Sequence, residues 1–89
     1  LASKLVKLSP MSQKDLARIY FTSGGSESVE TALKLARAYF VEKGQLERSI
    51  CISRWHGYHG STLGALSVTG HPARRRPYMP IIKPGTHIT

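Results

Sequence analysis

IYFTSGGSESVETALKLARAYF, Ile19 to Phe40, joins a short β-favouring run to a long amphipathic one through a glycine-serine turn. Ile19, Tyr20 and Phe21 are residue types that fill buried strands, and a strand is predicted over residues 17–22. Ser23, Gly24, Gly25 and Ser26 break it. At roughly 100° per residue, Val29, Leu33, Ala36 and Phe40 then share one stripe, with Glu30, Thr31, Lys34 and Arg37 away from it. Glu27 and Glu30 sit in the early turns, where negative charge suits the helix dipole. Glu30 and Lys34 stand i, i+4 in the favourable order, and Gly44 is a natural stop. The helix is expected over residues 26–43.

Downstream, Ile50, Cys51 and Ile52 centre a second expected strand over residues 49–53. Arg54 to Gly60, RWHGYHG, is a loop too rich in aromatic and histidine side chains for a plain connector. A short helix is predicted over residues 61–68, capped by Ser61 or Thr62 and stopped by Gly70. Pro72, Pro77, Pro80 and Pro84 make residues 71–89 an expected irregular tail. Upstream, Leu1, Leu5 and Leu8 share a face of a helix over residues 1–9, which Pro10 ends. Strand, helix, strand and helix in alternation is the pattern of an α/β protein with a parallel sheet. Ligands gather beyond the carboxyl ends of such strands, the edge where both loops fall.

The chain has 89 residues, with 13 Lys and Arg against 5 Asp and Glu, a formal charge of +8. That balance raises nucleic acid, anionic membranes and phosphorylated ligands as partners without choosing among them. The densest cluster is Arg74, Arg75 and Arg76. A basic module touching nucleic acid through it is the competing reading, although no nucleic-acid-binding motif accompanies it. Cys51 is the only cysteine, so an intrachain disulfide is excluded, and between two isoleucines it is expected to be buried. No apolar run approaches the ~20 residues needed to span a bilayer, and no secretory signal pattern is present. A cytoplasmic setting without membrane contact is the expectation. Both ends read as cut from a longer chain.

Two constellations carry chemistry. Thr22 to Glu27 lies between a strand and a helix N-terminus, where glycines let backbone approach a ligand and the first helical N–H groups point outward. With the Ser26 hydroxyl, these make a cradle for a phosphate group. The same residues also suit an ordinary capped turn. Neither a Walker A loop nor the Rossmann glycine pattern is present. In Trp55 to Gly60, an aromatic at the sheet edge suits stacking on a flat heteroaromatic ring, and core packing of Trp55 and Tyr58 is the alternative. His56 and His59 suggest metal only weakly, since zinc takes three or four protein ligands.

SGGSESVETALKLAR (Ser23–Arg37) followed by WHGYHGSTLGALSVTG (Trp55–Gly70) closely resembles the class III, omega-amino-acid type, aminotransferases. The resemblance runs from about Leu16 to the end. It implies part of the large domain of a fold-type-I pyridoxal-phosphate enzyme, with a mostly parallel sheet that this chain leaves incomplete. It places the two expected strands apart in that sheet. It also implies a homodimer whose substrates are a small amino donor and a keto acid acceptor, with pyridoxal 5'-phosphate as cofactor. The family's motif maps the phosphate contacts onto the Gly25 backbone and onto the backbone and hydroxyl of Ser26. Gly24 stands where the family often has serine. Tyr58 is implied to lie against the pyridine ring, with His59 and Gly60 beside it and His59 in a supporting role. The Schiff-base lysine and the aspartate that pairs with the pyridine nitrogen are not assignable here, so no catalytic residue is named. A class III-like aminomutase or decarboxylase shares the same cradle and is the alternative reaction.

Overall fold

A computed structural model describes residues 1–11 and 17–89. Helix α1 spans Ala2–Leu8 and ends at Ser9, whose φ of −67° and ψ of 143° are extended, as the residue before Pro10 must be. Helix α2 spans Gly25–Glu42. Gly44 follows with φ +72°, the left-handed conformation that glycine adopts without a Cβ penalty. Strand β1 is Ile52–Arg54 and helix α3 is Leu63–Val68. A short helix α4, Pro72–Arg75, runs into a 3-10 helix over Arg76–Ile81, and strand β2 is Thr86–Ile88.

The sheet is parallel, but its strands differ from those expected. Pairing joins β1 to β2, with Ile52 opposite Thr86, Ser53 opposite His87 and Arg54 opposite Ile88. Residues 17–22 form no strand. Their composition favours a buried strand, yet a run buried on both faces needs neighbouring strands and a covering layer. Tyr20 is 78% exposed and Ile50 77%, so these apolar runs lack that cover among the described residues. Cys51, expected inside, is exposed for the same reason. The tail expected to be irregular holds α4, the 3-10 helix and β2. Pro72 sits in the first turn of α4, where its missing N–H leaves no bond unmade.

The core lies around α3. Ala65, Leu66 and Val68 are buried with Ile82, and Ser67, Thr69 and Arg75 are buried polar residues beside them. Helix α2 contributes no buried residue. Its stripe is half-buried at Val29, Leu33 and Phe40 and exposed at Ala36. Residues 17–24 lead into the N-terminus of α2, and β1 leads into the loop before α3. This arrangement sets the two constellations side by side.

Candidate functional site

Thr22 and Ser28 shape the turn before α2. Both hydroxyls donate to the Gly24 carbonyl at 3.1 Å and meet each other in a close contact. Gly24 is the N-cap, with extended backbone at φ −175°, so Gly25, Ser26 and Glu27 open the helix. The N–H groups of this first turn precede any intrahelical acceptor and carry the positive end of the helix dipole. A Cβ built on Gly25 meets nothing within 4 Å, so the space beside this backbone is open.

The second constellation approaches from β1. The chain turns at Trp55 and His56, the latter at φ +66°, a conformation in which histidine is enriched among non-glycine residues. The His56 amide donates to the Gly70 carbonyl at 2.7 Å and the Gly70 amide to the Gly57 carbonyl at 2.8 Å. Trp55 stacks on His87 of β2, with ring centroids 4.5 Å apart. Trp55 is thus tied to β2 on one face while 40% of it stays exposed, and Tyr58 is the more exposed ring of the two, at 55%. The His59 amide donates to the Thr69 hydroxyl at 3.1 Å, and that hydroxyl donates to carbonyls of the same core. Gly60, at φ +131°, passes so near α2 that an added Cβ would lie 2.6 Å from Ser26 Oγ and 2.8 Å from the Ala65 Cβ. Only glycine fits there.

Gly25, Ser26, Val29, Tyr58, His59 and Gly60 consequently line one open cleft of about 410 Å³. All five residues singled out from the sequence share it, joined by Val29. Ser26 Oγ accepts the Ser61 amide at 3.0 Å, which ties α2 to the residue after Gly60. A larger hollow of about 500 Å³ continues past Tyr58 between Leu63, Leu66, Arg74 and Tyr78.

Glu30 was expected to face away from the packed stripe. Its carboxylate instead accepts the Thr62 hydroxyl at 2.7 Å and the Ala65 amide at 2.9 Å. Thr62 occupies the N-cap of α3 but makes no side-chain bond to its own helix. Glu30 caps α3 from another helix. The Thr62 hydroxyl foremost, then the Ala65 and Gly64 amides and the Lys34 charge, hold this carboxyl below its ordinary range against the opposing effect of desolvation. Capping-type spacing within one helix would have been legible in the sequence. A cap supplied from 32 residues upstream is not.

The arginine cluster divides by role. Arg75 is 5% exposed, and its Nη1 donates to the carbonyls of Leu66 and Ser67 at 2.8 Å and of Thr69 at 3.0 Å. It thereby satisfies carbonyls that the end of α3 leaves over. Arg74 lies over the Tyr58 ring, 5.2 Å from its centroid, and Arg76 is exposed. Among the described residues no group of three or more His, Cys, Asp or Glu side chains is placed to hold a metal ion. Among them no helix is long and apolar enough to cross a membrane.

The class-III aminotransferase family model matches residues 1–88. A probable aminotransferase of Mycobacterium tuberculosis is 43% identical over 88 residues, 99% of this chain and 18% of its own length. The omega-aminotransferase of Caulobacter vibrioides is 47% identical over 74 residues, covering 83% of this chain and 16% of the relative. The structure superposes on an omega transaminase from Pseudomonas jessenii, solved in complex with PMP, at a TM-score of 0.87 and 30% identity. That match covers 98% of this chain and 18% of the other. For an (S)-enantioselective omega-transaminase from Thermomicrobium roseum the TM-score is 0.85 at 47% identity, covering 97% and 18%. The chain thus spans about one fifth of the length of the proteins it matches, and the α/β arrangement with its parallel pair is that of the corresponding part of these transaminases. With its family model matched almost from end to end, this chain belongs to the class-III aminotransferases.

Proposed function

We propose that the protein carrying this sequence moves an amino group from an amine or amino acid to a keto acid with pyridoxal 5'-phosphate. In this reading the segment is part of the cofactor-binding large domain of a cytoplasmic homodimer. The observation that carries it is the cleft in which the first turn of α2 meets the Tyr58 loop. Its volume lies within the ~300–1,000 Å³ of small-molecule sites. Its two ends differ in the way the cofactor's two ends do, with unpaired helical amides on one side and an exposed aromatic face on the other. The PMP complex of the Pseudomonas jessenii transaminase supports the same cofactor class.

The amides of Gly25 and Ser26 take the phosphate, and the open space beside Gly25 lets it approach. Ser26 Oγ already accepts the Ser61 amide, which leaves its own proton to donate to a phosphate oxygen. Tyr58 lays its ring along the pyridine, with Arg74 on it and His71 at its edge, 6.3 Å between centroids. His59 and Gly60 hold the loop at its distance from α2. When bound, the cofactor supplies the aldehyde carbon and the electron-sink ring that amino transfer requires. No lysine among the described residues lines the cleft, and the covalent anchor is assigned to the remainder of the enzyme.

The test is the visible spectrum of the complete protein after pyridoxal phosphate is added and excess removed. A retained yellow band that shifts with an amine donor and returns with a keto acid is expected. Absence of any retained band overturns the cofactor assignment. A retained band with loss of CO₂ or internal migration of the amino group, and no transfer to a keto acid, would favour a decarboxylase or mutase.

A further inference from the structure

We propose that Glu30 is a positioning residue for the cofactor site, fixing the Tyr58–Gly60 loop at its working distance from the phosphate cradle. The proposal rests on the cofactor reading above. Ser26 and Glu30 are spaced i, i+4, so they stand one above the other on a single face of α2. Both reach the same short segment. Ser26 Oγ takes the Ser61 amide at 3.0 Å, and the Glu30 carboxylate takes the Thr62 hydroxyl at 2.7 Å and the Ala65 amide at 2.9 Å. That segment directly follows Tyr58, His59 and Gly60. The cradle at Gly25 and Ser26 and the grip at Glu30 are thus parts of one rigid helix, and the loop is hung from it.

Two glycines make the grip possible. At Gly60 a side chain would strike Ser26 Oγ and Ala65, which would push the loop off α2. At Gly64 an added Cβ would press directly against the Glu30 carboxylate, so glycine in the first turn of α3 makes room for it. Thr62, turned towards Glu30, gives its own helix no side-chain cap. Without Glu30 the Ala65 amide loses its acceptor and the Thr62 hydroxyl its partner. The Ser26–Ser61 bond is then the one remaining cross-link among the hydrogen bonds described between α2 and residues 58–65. Two helices could be packed by apolar contact alone. A charged latch of defined length additionally fixes the height of the Tyr58 ring above the cradle.

The experiment compares wild type, Glu30→Ala, Glu30→Gln and Thr62→Val in the complete protein. The readouts are the dissociation constant of pyridoxal phosphate for the apoprotein, the induced circular dichroism of the bound cofactor and the apoprotein melting temperature. Glu30→Ala is expected to weaken cofactor binding on the order of tenfold, as for loss of a charged hydrogen-bond acceptor, and to alter the dichroic band as the ring tilts. Glu30→Gln retains an acceptor oxygen and restores most of both. Thr62→Val, which keeps the fold should Glu30→Ala fail to give one, shifts both in the same direction by less. Wild-type affinity and dichroism in Glu30→Ala and Thr62→Val, with only the melting temperature lowered, overturn the proposal and leave Glu30 as structural glue. A wild-type protein that takes up no pyridoxal phosphate overturns the cofactor reading and this inference with it.

Discussion

In the proposed site Ser26 does two things with one hydroxyl, and they are compatible because one uses its lone pair and the other its proton. It accepts from Ser61 and keeps a proton to give. Ser26→Ala in the complete enzyme should therefore lose a hydrogen bond to a charged group, about 1.5–3 kcal/mol, and release the Ser61 amide as well. Titration of the apoprotein with pyridoxal phosphate reads the loss, and an unchanged affinity would remove Ser26 from the site. Tyr58 differs in kind. Its exposed ring, backed by the Arg74 guanidinium, is the face that the proposed site offers to the cofactor. Tyr58→Phe should be mild and Tyr58→Ala severe in cofactor retention, since stacking contributes about 0.5–1.5 kcal/mol beyond buried area. Equal damage in both variants would mean that the hydroxyl has a role of its own.

Helix α3 is only six residues long, too short to stand by itself in water. It is held at both ends by side chains from elsewhere, Glu30 at its start and Arg75 at its finish. Arg75→Met keeps much of the volume but removes the guanidinium from three carbonyls. The Leu66 carbonyl keeps the Thr69 amide and the Thr69 carbonyl keeps the His87 ring, so the buried Ser67 carbonyl is the one that loses its described donor, and about 1–3 kcal/mol of stability should go with it. The midpoint of urea unfolding measures this, and a midpoint within error of wild type would mean that solvent replaces the guanidinium. At the other end the Glu30 carboxyl lies below its ordinary range in the folded state. A depressed carboxyl contributes its full stability above the unfolded-state value. That contribution is lost as pH falls through the ordinary carboxylate range towards the folded one. The stability difference between wild type and Glu30→Gln should accordingly be largest near neutrality and shrink on acidification. A difference that stays constant with pH would show that the fold does not lower the Glu30 carboxyl.

The whole molecule exposes what a larger sheet would cover. Tyr20, Phe21, Ile50 and Ile52 are all exposed, and a two-stranded sheet is marginal by itself. The lysines of the described residues are placed away from the cleft. Lys4 and Lys7 belong to α1, and Lys43 closes α2. Lys34 is eight residues along α2 from Ser26, about 12 Å at 1.5 Å per residue, and its charge acts on Glu30. Lys83 donates to the Ser49 carbonyl at 3.4 Å. Lys14 lies outside the described residues. The 89-residue chain by itself is therefore expected not to transaminate and to self-associate through its apolar runs. Borohydride reduction after mixing with pyridoxal phosphate, mapping of any modified lysine and an amino-transfer assay check this. Turnover dependent on one mapped lysine would refute it.

Local rules carried the sequence a long way. The period of Val29, Leu33 and Phe40 and the stop at Gly44 placed α2 within one residue at each end, because helical bonds close within a turn. The glycine-serine turn ahead of a helix and the loop Arg54–Gly60 after a strand announced themselves by composition. The family resemblance picked Gly25, Ser26, Tyr58, His59 and Gly60 out of them, and one cleft brings these five together. Strands were read less well, since a strand is defined by its partner. The apolar run at residues 17–22 found none among the described residues, while residues 86–88, hidden among prolines, found β1. Only the tertiary structure turned Trp55 onto His87. It alone drew one arginine of three into the core and gave α3 an N-terminal cap from α2. Those decisions depend on which backbone groups two distant segments leave unsatisfied when they meet, and that is settled by contact in space, which neither periodicity nor composition encodes.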